Sequence, residues 1–297
     1  MTVLLAAVLP IALAASVGFA VGRSFELDLR TLARVNIYGL VPALVLMSLA
    51  NTTLGWRNAI AIIAAFFLNS ALLYLMAIAL GRGLNLPAEE RKSLIATTLF
   101  SNVGNMGLPF VLFSLGEAGL ERAVIYLVGS SLMIAGFFPT ILKGVGLGTG
   151  LRFTLRLPIF WAAIVGLVLQ ISGEALPLAV DRAVNLLGEG AIPLALLTLG
   201  IQLSRTKLAF GAHEIFGSVL RLGVAPLSAY GVGRLLGLAG LDLQVLVLQA
   251  AMPVAVNSLI WVTELGGDTV RVARTIVLST LLSFGTLPVV LWLTSRV

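Results

Sequence analysis

"SNVGNMGLPF", Ser101 to Phe110, sets two asparagines, two glycines and a proline inside an otherwise apolar run, with "LIATTLF" before it and "VLFSL" after it. Proline removes one backbone donor and blocks the bond to the carbonyl four residues back. Gly104 and Gly107 lower the cost of unwinding. In a membrane the freed N–H and C=O groups are tolerated only where they line a cavity or bind something. The stretch therefore reads as a helix broken at mid-membrane, with the amides of Asn102 and Asn105 at the opening.

The whole chain supports a membrane setting. Of 297 residues, 59% are hydrophobic and 11% charged, with a mean hydropathy of +1.07; a soluble domain carries about 25% charged residues. The chain reads as a polytopic, all-α membrane protein. It has no cysteine, hence no disulfide framework, and its single histidine, His213, builds no His-rich metal site. The net charge of +6 comes without a basic run long enough for nucleic acid. In a membrane protein, Lys and Arg mark cytoplasmic loops instead. The opening "MTVLLAAVLPIALAASVGFAVG" lacks a positive n-region, and its apolar stretch of about 20 residues reads as a first spanning helix rather than a signal peptide.

Apolar stretches of spanning length fall at about 2–22, 31–50, 57–80, 93–115, 122–142, 157–173, 183–203, 212–235, 241–263 and 272–294. Loops after odd-numbered spans hold thirteen of the nineteen basic residues: Arg23, Arg30, Arg34, Arg82, Arg91, Lys92, Lys143, Arg152, Arg156, Arg205, Lys207, Arg271 and Arg274. The opposite ends hold five, and Arg221 lies within a span. The positive-inside rule puts odd loops in the cytoplasm and both termini outside.

An internal repeat accompanies these spans. "YGLVPALVLMSLAN" (Tyr38–Asn51) aligns with "EGAIPLALLTLGIQ" (Glu189–Gln202) at an offset of 151, and "GRGL" at Gly81 with "GRLL" at Gly233 at 152. Each repeat holds five helices, and an odd number makes the two halves inverted. Inverted repeats with broken helices at the midplane mark secondary transporters. The fourth and ninth spans carry the breaks; the ninth, "LQVLVLQAAMPVAVNSLIWVT", has Pro253 near its middle and Asn257 one turn on. A half-helix that begins after a break offers N–H groups and a positive end to an anion. The bland alternative is a proline kink with Asn as interhelical glue.

These residues resemble the auxin efflux carrier family over essentially the whole chain, as a bacterial relative of the plant PIN carriers. "SNVGNMGLPF" carries most of the resemblance and "QAAMPVAVNS" the rest. The resemblance implies a crossed-helix inverted repeat shared with bile-acid and sodium–proton transporters. Helices 1, 2, 6 and 7 would be a scaffold (about 1–55 and 157–205) and an interface for a homodimer. Helices 3–5 and 8–10 would be a transport domain (about 56–142 and 206–297), crossing at Pro109 and Pro253. The halves would be 1–142 and 157–297, with a cytoplasmic linker at 143–156. It implies an organic anion substrate, auxin-like or malate-like, carried across the inner membrane without a cofactor. Asn102, Met106, Gly107 and Pro109 match the family's pattern; Asn105 stands where plant carriers have Val. The long regulatory loop of the plant carriers is absent from "KGVGLGTGLRFTLR".

Arg221 is a charge inside a span and a functional candidate by default. It either attracts an anion or snorkels or pairs with Glu214 or Gln249. Met106, Phe110 and Met252 are candidates to wall a pocket. Asp242, Glu174, Asp181 and Arg182 near span ends read as solvated, Glu264 and Asp268 as loop residues, and Asn69, Gln249 and Ser101 as polar residues within spans. No carboxylate pair sits at mid-membrane, which argues against cation exchange; a cation- or proton-coupled exchanger and a bile-acid-type sodium symporter remain the alternatives. There is no HExxH, no pair of mid-helix aspartates and no ATP motif.

Overall fold

A computed structural model describes residues 2–137, 147–205 and 210–296. Their regular structure is helical: α1 (Thr2–Ser24), α2 (Leu29–Ala50), α3 (Trp56–Gly83), α4 (Ala88–Leu99), α5 (Val103–Gly136), α6 (Leu147–Leu155), α7 (Pro158–Ser172), α8 (Leu178–Arg205), α9 (Ala212–Leu235), α10 (Gly240–Ala250), α11 (Ser258–Leu265) and α12 (Thr269–Thr294). Among the described residues, α2, α3, α5, α8, α9 and α12 are long and apolar enough to cross a membrane, and α7 and α10 are shorter apolar helices.

The stretch expected to span 93–115 comes in two pieces, α4 and the start of α5, and that expected at 241–263 is split into α10 and α11. α5 bends at Gly116, whose φ of 70° and ψ of −166° leave helical space. A left-handed φ suits a residue without a Cβ. The helices also carry wider, π-helical turns at Asn36–Leu40, Val103–Gly107, Met133–Phe137 and Leu220–Val224. There, Val41 N–H reaches Asn36 O and Ala225 N–H reaches Leu220 O, five residues back. Each of these turns holds a glycine, and three of them end two residues before a proline that the structure describes: Pro42, Pro109 and Pro226. The proline ring collides with the carbonyl of the preceding turn, and widening that turn relieves the clash.

The linker is not wholly irregular. From Leu147 it forms α6, which packs on the Met133–Phe137 turn so closely that a Cβ on Gly136 would stand 2.9 Å from Thr154 Oγ1. Burying Thr154 against that turn outweighs the poor helix propensity of Gly148 and Gly150. Residues 143–146 lie outside the described residues.

The chain divides into two compact units. The first is Met1–Val8, Arg57–Val103 and Thr206–Val297; the second is Leu9–Trp56 and Gly104–Arg205. Within the second unit, glycines let helix backbones touch. A Cβ on Gly200 would meet Ala15 O at 1.9 Å, one on Gly18 would meet Leu197 O at 2.2 Å, and one on Gly166 would meet Leu46 O at 3.0 Å. Membrane helices associate through such small-residue contacts, because lipid supplies no hydrophobic drive between them. Within the first unit, α12 packs along α4, α9, α10 and α11. Asn69 on α3 accepts the Ser228 hydroxyl of α9 at 2.6 Å.

Candidate functional site: a backbone crossing in the first unit

α4 stops at Leu99, and Phe100 turns extended (φ −86°, ψ 98°). α10 stops at Ala250, and the chain runs irregularly until α11 begins at Ser258. The two irregular stretches run antiparallel, with Ser101 opposite Val254. Asn102 N–H donates to Pro253 O, and Ala255 N–H donates to Phe100 O, each at 2.8 Å. Ser101 and Val254 thus form the close, non-hydrogen-bonded pair of a minimal antiparallel ladder. Val254 N–H finds the Ser279 hydroxyl of α12 at 3.1 Å. The peptide groups that the breaks release are in this way largely spent on one another, which makes them bearable inside a bilayer.

Around this crossing the sequence candidates fall into different environments. Asn102 is 5% exposed, and its Nδ2 has no hydrogen-bond partner among the described residues. A buried polar group left unpaired costs about 1–3 kcal/mol. Pro253 is buried and contributes its carbonyl to the ladder. Asn257 is exposed at the residue before α11, and its side chain caps no helix N–H. Gly104, Asn105 and Gly107 form the π turn that opens α5, and Pro109 follows two residues after it. From Gly104 onward the chain belongs to the second unit. Met252 is fully buried beside Pro253 in the first unit, while Met106 and Phe110 are buried in the second.

Arg221 does not snorkel. It is 1% exposed in the π turn of α9. Its Nη1 donates to Thr98 O at 2.6 Å and its Nη2 to Ala250 O. Neither expected side-chain partner takes that role. The Glu214 carboxylate accepts Gly211 N–H at 2.8 Å at the start of α9. Gln249 is wholly buried, and both its amide atoms lack a hydrogen-bond partner among the described residues. Thr98 and Ala250 stand at the C-terminal ends of α4 and α10, where carbonyls have no intrahelical donor and the helix dipole is negative. The guanidinium therefore sits on two negative helix ends at once.

Sequence reasoning missed several polar residues. Asp242, read as solvated, is 6% exposed and accepts a short hydrogen bond from Asn58 Nδ2. Asp268 caps α12 by accepting Arg271 N–H at 3.0 Å. Ser279 takes a peptide N–H of the crossing. A cavity of about 310 Å³ in the first unit is lined by Glu90, Ser93, Thr97, His213, Arg271 and Thr275, among others. Arg271 approaches Glu90 at 2.7 Å and Asp268 at 2.9 Å. The recurrent hydroxyls on α12, at 275, 279, 280 and 283, are the signal that pointed to a buried polar face.

Comparison with known proteins agrees with this architecture. A family model described as membrane transport protein matches residues 147–291. An uncharacterized transporter of Methanothermobacter thermautotrophicus is 30% identical over 277 residues, 90% of this chain and 89% of the relative. One of Methanocaldococcus jannaschii is 30% identical over 217 residues, 69% of this chain and 68% of the relative. The uncharacterized transporter YfdV of Escherichia coli K12 is 30% identical over 103 residues, 35% of this chain and 33% of its own. The fold and these relatives define a multi-pass membrane transporter. The chain belongs to the membrane transport protein family, that of the auxin efflux carriers.

Proposed function

We propose that this chain is a secondary or facilitative carrier of an organic carboxylate, working by alternating access. The observation that carries the reading is the crossing itself. Two breaks meet in an antiparallel ladder, a buried arginine holds both preceding helix ends, and the Asn102 amide is buried with a donor to spare. Negative helix ends are neutralised from within, which leaves the positive start of α11 and the Asn102 amide for an anion. A neutral amide grips a carboxylate and still releases it, as a carrier must.

The chain is read as ten spans in two inverted halves, with both termini outside the cytoplasmic membrane. The ladder supports the repeat. Its local two-fold relates Phe100 to Pro253 and Asn102 to Ala255, an offset of 153 against the 151–152 of the sequence repeat. In this reading, helices 3–5 and 8–10 carry the substrate past a scaffold that also serves a homodimer. Of that carrying domain, the described residues of 57–103 and 206–297 pack as one unit and those of 104–137 with the other.

Counterflow in proteoliposomes tests the reading, with malate, succinate, malonate, lactate and indole-3-acetate as solutes. Saturable exchange of a carboxylate is expected, and Asn102→Ala abolishes it. Movement of neutral or cationic solutes with no carboxylate exchange overturns the anion mechanism.

A further inference from the structure

Where helices break in a membrane carrier, the exposed C-terminal carbonyls are sites for a free coupling cation, because each helix end concentrates about half a negative charge. Here two such ends, those of α4 and α10, come together on one side chain. That side chain is carried by a third helix, α9, in the π turn that precedes Pro226. A guanidinium stays protonated at any physiological pH and donates through both Nη atoms. On the same two helix ends, the Thr98 hydroxyl and the Gln249 amide are fully buried without hydrogen-bond partners among the described residues. Removing the guanidinium would thus leave a pocket rich in oxygen acceptors at the meeting of two negative ends.

We propose that Arg221 is a tethered counter-cation, a positioning residue that occupies by covalent attachment the place of a free monovalent cation. It locks the ends of α4 and α10 to α9 and gives the crossing a fixed positive charge through the whole cycle. Substrate binding at the crossing then requires no dissolved cation. The inference rests on the carboxylate-carrier reading only for the transport readout.

The experiment compares wild type, Arg221→Ala and Arg221→Lys, purified and reconstituted, in chloride salts of sodium, choline and guanidinium at matched low ionic strength. Thermal unfolding and counterflow are both read. Wild type is expected to unfold and transport alike in sodium and choline. Arg221→Ala is expected to unfold at lower temperature and to lose counterflow by roughly tenfold or more. Millimolar guanidinium restores both saturably, and choline does not. Arg221→Lys keeps the charge and is expected to stay cation-independent at a reduced rate.

Sodium-dependent transport by wild type overturns the proposal. So does an Arg221→Ala protein that matches wild type in every salt, or one that is folded and inactive and that no small cation improves. Should Arg221→Ala fail to fold, Arg221→Lys decides, because a folded lysine variant that needs sodium or guanidinium sinks the tethered-charge account. A wild type that moves no carboxylate at all refutes the carrier reading alone, and the unfolding temperatures still decide the role of Arg221.

Discussion

Ser279 shows how one hydroxyl holds a break open. Val254 N–H has left its helix and is fully buried, and the Ser279 oxygen takes it at 3.1 Å. Ser279→Ala strands that donor in an apolar interior, at a cost of about 1–3 kcal/mol. Thermal unfolding of the purified variant checks this; an unchanged midpoint would mean that the ladder does not need α12. Arg221 belongs to the same scale. Its two bonds to carbonyls at helix ends decide between alternatives that its position in a span left open. Asp242 makes the opposite point. A carboxylate near the end of an apolar stretch reads as solvated, yet Asn58 on α3 reaches it, and no local pattern announces a partner 184 residues away.

At the scale of elements, proline placement governs helix shape. Pro42, Pro109 and Pro226 each come two residues after a π turn, whereas Pro10, Pro193 and Pro288 sit inside helices that stay regular. Glycine alone does not separate the cases: Gly190 and Gly285 stand three residues before Pro193 and Pro288, as Gly39 and Gly223 stand before Pro42 and Pro226. A glycine backbone adopts a looser register at little steric cost, and the packing of each helix decides whether the turn widens. In α9 the π turn rotates Ala212–Val219 relative to Ala225–Leu235, by about 100° per extra residue. Pro226→Ala is expected to let α9 close into regular α-helix and swing Arg221 off the two carbonyls. Helical circular dichroism should then stay level while counterflow falls as far as in Arg221→Ala. Full transport by Pro226→Ala would show that the π turn does not aim the guanidinium.

The whole molecule makes a prediction about sidedness. From the charge asymmetry of the loops, the turn before α2 is expected in the cytoplasm and the turn before α3 outside. Native cysteine is absent, so single replacements report cleanly. Gly55→Cys, at an exposed position with open space around it, is expected to react with a membrane-impermeant maleimide on intact cells. Glu26→Cys is expected to react only after permeabilisation. The reverse pattern would invert the topology and, with it, the side from which each half-helix enters.

Composition and hydropathy by themselves determined that this is a helical membrane protein. The Asn–Gly–Pro pattern of 101–110 and Pro253 marked where two helices break, because proline and glycine act on their own turn and need no distant partner. In the linker, local propensity is weak: Gly148 and Gly150 favour no helix, yet α6 forms where Thr154 packs against Gly136. Only the tertiary structure set the register of Ser101 on Val254, the pairing of Asn102 N–H with Pro253 O and of Arg221 with Thr98 and Ala250. Those bonds join segments more than a hundred residues apart, or 29 apart across a turn. The free energy that selects them is the cost of leaving buried peptide and charged groups unpaired, and that depends on which helices pack together rather than on any one stretch of sequence.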